Sequence, residues 1–190
     1  SLIEGRVDEG EYSKFVDSYK IDFRGPYYCC AIFHTSTHNV PENMEPLLLS
    51  MSVEREIKER IAERLNCREF IYLGNTLLIV ELSSKEKMVE FTDICDKFCK
   101  WVNRVIGAVV TAGIGRMCDN ILNINSSYEG AREAVSYRVL YGTNRAINIE
   151  EIAPNEQNMT IQSEDSKMHD LFKAIYLGNS KSIEDAVSRE

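Results

Sequence analysis

Residues Ala108 to Ile114, Ala-Val-Val-Thr-Ala-Gly-Ile, form a small, β-branched run without a single charge. Such a run suits a strand buried on both faces. Gly113 and Gly115 follow the β-branched part, where the backbone is expected to turn. A helix is expected next. Ser126 and Glu129 have the spacing of a capping box, in which hydroxyl and carboxylate each satisfy an amide left unpaired by the first turn. Tyr128, Ala131, Val135 and Val139 mark its apolar face, and Gly142 stands where a helix ends in a left-handed residue.

The elements before this unit follow from periodicity. Tyr12, Phe15, Val16 and Tyr19 space a short amphipathic helix over 9–19, and Gly25-Pro26 closes the loop after it. Tyr27 to His34 is a continuous apolar and aromatic run, the mark of a central strand. Pro46 fits a first helical position, and Val53, Ile57, Ile61 and Leu65 then recur every fourth residue among charges of alternating sign, a surface helix with one buried stripe. Arg68 to Leu73 and Thr76 to Leu82 are β-rich runs joined at Gly74-Asn75, a hairpin signal. Met88, Phe91, Cys95, Phe98 and Val102 space a second helix, and a short edge strand is expected near Ala146 to Ile149. The order strand, helix, hairpin, helix, strand predicts an α+β fold of the ferredoxin-like, split βαβ kind. In it an antiparallel sheet carries helices on its faces, with flanking helices at both ends of the chain.

The stretch from Thr111 to Arg145 resembles the end of a GGDEF-type domain, whose members show T-x-S-I-G and then A-D-x-A-L-Y-x-A-K-x-x-G-R-N-R. Ala131, Ala134, Gly142, Asn144 and Arg145 stand at matching positions. The G-I-G-R and S-Y-x-x-A-x-x-A combination is more similar to degenerate GGDEF-like domains inside bacterial transcription regulators, namely the AraC-type regulators of Gram-positive bacteria and the sugar-diacid regulators. The resemblance spans Tyr27 to Ile152 and is most specific in its last third. It implies a GGDEF/cyclase-like sheet and divides the chain into a lead-in (1–26), a degenerate GGDEF-like domain (27–152) and a linker with C-terminal helices (153–190). In the resembling regulators the last part leads toward a DNA-binding domain. Pro154 and a polar run to Gln162 read as the linker, and Met168, Leu171, Phe172, Ile175 and Tyr176 as the helix after it.

Composition excludes several classes. A net charge of −8 provides no field for nucleic acid or an anionic membrane surface, so contact with DNA is expected only through a helix-turn-helix domain outside this chain. No apolar run approaches the roughly 20 residues of a spanning helix, and the start lacks a signal-peptide pattern, so the sequence reads as cytoplasmic. Six cysteines without C-x-x-C spacing read as reduced, buried thiols, with Cys29 and Cys30 pointing to opposite faces of a strand.

Active GGDEF cyclases join two nucleoside triphosphates with divalent metal held on carboxylates. The resemblance places one carboxylate at the end of the first strand and others in a Gly-Gly-Asp-Glu-Phe hairpin. This strand ends His34-Thr35-Ser36, and the hairpin reads Gly74-Asn75-Thr76, so the acidic pair is replaced. His34 and His38 need not share a face and have no thiol or carboxylate nearby in sequence. Arg116 is a candidate for holding a phosphate or carboxylate, and equally for anchoring a chain end or pairing with Asp119. Gly113-x-Gly115 lacks the third glycine of a dinucleotide fingerprint. The sequence therefore assigns no catalytic, cofactor-binding or metal residue. The expected function is a non-catalytic relay or dimerisation portion of an AraC-type regulator. It would act as a homodimer, with a receiver or membrane sensor domain upstream. The alternatives are a sensor of a small anionic metabolite near Arg116 and a cyclase remnant with activity.

Overall fold

The computed structural model describes residues 24–38, 40–72 and 74–152. The chain divides into two units, Ser1–Ala153 and Pro154–Glu190, and every described residue belongs to the first. The helix expected over 9–19, the linker and the C-terminal helices lie outside the described residues.

Five strands form one mixed sheet: β1 (Tyr27–Thr35), β2 (Cys67–Tyr72), β3 (Asn75–Leu82), β4 (Val110–Ile114) and β5 (Arg145–Asn148), in the order β2-β3-β1-β4-β5. β1 is central, as its apolar run predicts, and pairs antiparallel with β3 and β4. β5 runs parallel to β4, which requires a crossover. The helices are α1 (Pro46–Arg60), α2 (Lys87–Ile106), α3 (Ile124–Ser136), α4 (Arg138–Tyr141) and α5 (Ile149–Ile152), and α3 with α4 provide that crossover.

Period-two alternation in the strands sorts the core into two layers. On one face Cys29, Ala31, Phe33, Val80, Ala112 and Ile114 pack against Leu49, Val53 and Ile57 of α1 and Phe91, Cys95, Phe98 and Val102 of α2. On the other, Cys30, Ile32, Leu77 and Ile79 meet Ile124, Tyr128, Ala131 and Val135 of α3. Cys29 and Cys30 thus fall on opposite faces, and the stripe expected of α2 is the buried one. That of α1 is buried at Val53, Ile57 and Ile61, but the helix ends at Arg60, and Leu65, expected to continue the stripe, is extended and half-buried. Phe33 meets Phe98 edge to face at 5.6 Å, and the Arg60 guanidinium lies 3.6 Å over the Trp101 ring, tying the end of α1 to α2.

Local details differ from expectation. The hairpin turn sits one residue earlier, because Tyr72 pairs with Asn75 and places it inside β3, while Gly74 takes the positive φ of +77°. The capping box does not form. α3 begins at Ile124, and Asn120 caps the preceding single turn by accepting the Leu122 amide at 2.9 Å, so Ser126 already lies within the helix. The expected helix to Tyr141 breaks at Tyr137, whose ring is buried with Ala134, Ile147 and Ile149. The break leaves Val139 exposed. Gly142 has positive φ but extended ψ, at +89° and 168°, rather than the left-handed helical conformation.

Burial also governs the thiols. All six are free; Cys29, Cys30, Cys95 and Cys99 are buried, and burial pushes their ionisation well up. Half-buried Cys67 and Cys118 are pushed up to about 11, by burial first and then by Glu69 and Asp119 respectively. In the native protein a disulfide reagent at neutral pH is expected to modify at most Cys67 and Cys118, slowly, with the buried four reacting only after urea is added. Rapid modification of more than two thiols before unfolding contradicts this.

Candidate functional site

Two places bring motif residues together: the end of β1 beside the hairpin, and the glycine pair at the end of β4. Phe33 lies opposite Thr76, so the next register position brings His34 against Asn75. Nδ1 of His34 is 3.0 Å from Oδ1 of Asn75, an oxygen that can only accept, so the ring carries its proton on Nδ1. Burial lowers the imidazole's affinity for a second proton, and the nearby Arg138 guanidinium lowers it further, against the opposing effect of Asn75. Burial thus favours the uncharged ring of His34, hydrogen-bonded to the uncharged side chain of Asn75. His38 does not join it; its amide donates to Ser36 Oγ at 3.3 Å.

This geometry carries a pH prediction. The folded value of His34 lies below the ordinary 6.5 of the unfolded chain, so protons bind the unfolded state preferentially. The contribution to stability is complete above that value and is lost as pH falls from it toward the folded value. Urea midpoints at pH 7.5 and 5 are expected to differ less in His34→Gln than in the natural sequence; an unchanged pH dependence contradicts the assignment.

Neither Gly113 in β4 nor Gly115 just after it has positive φ, so the expectation that they serve a turn is corrected. Their role is close approach. A Cβ on Gly115 would overlap the Ser127 carbonyl group of α3, and one on Gly113 would overlap the Ala131 carbonyl oxygen and lie 2.9 Å from the Val135 amide nitrogen. The helix backbone rests directly on the strand. Gly115 donates to the Cys30 carbonyl at 2.8 Å, whereas Tyr28 pairs with Cys118, so Arg116 and Met117 together face Cys29 and form a β-bulge. The bulge redirects the buried Cys30 amide, which donates to Ser127 Oγ at 2.8 Å. Arg116, half-buried, belongs to this bulge.

Two clefts lie elsewhere. One, of about 700 Å³, runs along α1 beside Glu69; the other, of about 540 Å³, lies between α2 and β5 and includes Asp93, Asp96, Lys100 and Arg145. Neither is lined by Arg116. In the second, Asp96 is already engaged, its Oδ1 accepting the Ala146 amide at 3.0 Å and its Oδ2 bound by Lys100. Among the described residues no group of three or more His, Cys, Asp or Glu is placed to hold a metal ion, and no helix is long and apolar enough to cross a membrane.

Compared with known families, residues 4–137 match the GGDEF-like domain. The chain belongs to the GGDEF-like domain family. No curated protein matches it. Membership agrees with the five-stranded mixed sheet and its covering helices, a cyclase-like fold of signal-transduction and regulatory domains. The metal and triphosphate of catalytic GGDEF domains need hard anionic oxygens. At the end of β1 and the start of β3 this GGDEF-like domain offers His34, Thr35, Asn75 and Thr76, none anionic, with His34 and Asn75 bonded to each other. That donor set does not fit magnesium. The sequence made the replaced residues visible, but not their mutual bond, because register was needed to bring them together. Ser127 was missed as a structural residue; its signal was the Gly115-to-Ser127 proximity, which no spacing rule reports.

Proposed function

We propose that this GGDEF-like domain is non-catalytic and serves as the signal-relay or dimerisation portion of a bacterial AraC-type transcription regulator. It would contact DNA through a helix-turn-helix domain outside this chain and receive its signal from a receiver or membrane sensor upstream. The observation that supports the reading most is the neutral His34–Asn75 pair where catalytic relatives present carboxylates. A phosphoryl transfer without a seated divalent ion lacks the charge that stabilises its transition state. The close-packed α3 on Gly113 and Gly115 adds a second support, since the glycine motif is used for packing rather than for cradling phosphate. The relay itself would be a change in the geometry of a homodimer, passed along the chain into its neighbours.

The test is chromatography of products after prolonged incubation of the chain with GTP and magnesium at high protein concentration. No cyclic dinucleotide or pyrophosphate above a protein-free control is expected. Product in proportion to protein overturns the reading.

A further inference from the structure

We propose that the face formed by α1 and the edge strand β2 binds a second copy of this chain. Leu47, Leu48 and Met51 on α1 are 69%, 55% and 56% exposed, and Ile71 on β2 is 55% exposed. Leu48 and Met51 line the groove that runs from α1 to Glu69 of β2, so apolar surface and a sheet edge meet there, the kind of surface that marks an interaction. The two ends of the sheet are also treated differently. At the β5 edge, Asp96 accepts the Ala146 amide, which blunts the strand. No strand pairs with the outer side of β2 among the described residues, so its backbone donors and acceptors are a template for another strand.

Charge identifies the occupant. Ion pairs are frequent on the helices: Glu56 with Arg60, Lys87 with Glu90, Asp93 with Lys97, Asp96 with Lys100, and Glu129 with Arg132. The groove along Leu48 and Met51 is different. It is lined by Glu54, Arg55, Lys58 and Glu69, none of which forms an ion pair within the described residues, and Oε2 of Glu69 is buried without a hydrogen-bond partner among them. Burial and the neighbouring Glu54 hold the Glu69 carboxyl above its usual range, with Lys58 opposing. Two acids and two bases around an apolar centre make a self-complementary surface. A two-fold interface demands this, because each patch meets its own copy. A partner of strongly single-signed charge would leave half of the set opposed. The patch is also locally neutral on a chain of net charge −8, so it is where two identical acidic chains approach with little repulsion.

This deepens the relay reading by naming the surface on which its homodimer would form. The outcomes separate the two: a dimer indifferent to Met51→Asp sinks this surface alone, a monomer sinks the homodimer relay with it, and the GTP incubation decides catalysis independently of both. In sedimentation equilibrium the chain is expected to be dimeric, and Met51→Asp and Leu48→Asp each to raise the dissociation constant at least about thirtyfold. Arg55→Glu is expected to weaken it as well, by about tenfold, with a reduced dependence on salt. Val89→Asp, at a 75% exposed position on α2 outside the patch, is expected to leave it unchanged. All four positions are exposed, and Trp101 fluorescence verifies that each variant is folded. A monomer at about 100 μM, a dimer indifferent to Met51→Asp, or a monomer whose patch is protected by its own terminal residues overturns the proposal.

Discussion

Gly115→Ala is expected to destabilise the domain by about 3 kcal/mol or more, the largest effect of a methyl group added at any of the described glycines. The added carbon would lie 1.8 Å from the Ser127 carbonyl oxygen, which belongs to helix backbone and cannot rotate aside as a side-chain tip can. Relief would require α3 to lift from β4, breaking its packing on Cys30, Ile32 and Ile79. Gly74→Ala is the matched control. It meets nothing within 4 Å but must adopt φ near +77°, so a cost of only about 1–2 kcal/mol is expected. Urea denaturation followed by the single tryptophan, Trp101, gives both values. Equal losses for the two variants, or a Gly115→Ala midpoint close to that of the natural chain, contradict close approach as the reason for the glycine.

Ser127→Ala is expected to cost about 2 kcal/mol, because it strands the Cys30 amide rather than removing a surface hydroxyl. Both residues are wholly buried and the bulge has turned this N–H away from Gly115, so neither water nor the strand can take over. Ser136→Ala offers the comparison: its hydroxyl donates to Glu133 of its own helix in a half-buried position, and an effect within about 0.5 kcal/mol is expected. Hydrogen exchange gives the site-specific check. The Cys30 amide is expected to lose protection selectively in Ser127→Ala, ahead of the neighbouring amides of β1. Unchanged protection would show that the amide has another acceptor.

The layered architecture was legible because periodicity is strong where one face meets a core. Val53 and Ile57 report α1 by their spacing alone, though the same spacing carried it past its end at Arg60 to Ile61 and Leu65, and Met88, Phe91, Cys95, Phe98 and Val102 report α2. The unbroken apolar and aromatic run of Tyr27 to His34 announced a central strand. Boundaries were less legible, because competing local signals were decided by tertiary contacts. Ser126 and Glu129 had capping-box spacing, yet the Asn120 turn started α3 earlier and Ser127 was drawn onto Cys30. Tyr137 continued a helical pattern, yet burying its ring against Ile147 and Ile149 stopped the helix. The hairpin slipped by one residue because cross-strand pairing of Asn75 with Tyr72 prevailed over the Gly-Asn joint. At the candidate site, the lost carboxylates could be read from residue types. Their replacement by a His34–Asn75 hydrogen bond could not, since it depends on two strands meeting in one register.

Paramagnetic broadening offers the most direct measurement of the central claim, that this GGDEF-like site has no seat for a metal-bound triphosphate. Manganese and GTP are added in excess to the folded chain, and the His34 ring and Asn75 side-chain resonances are followed by NMR. Both are predicted to keep their linewidths, apart from a small uniform change shared with exposed residues distant from the hairpin. Selective, saturable broadening of His34 and Asn75 would place the ion at the end of β1 and contradict the account.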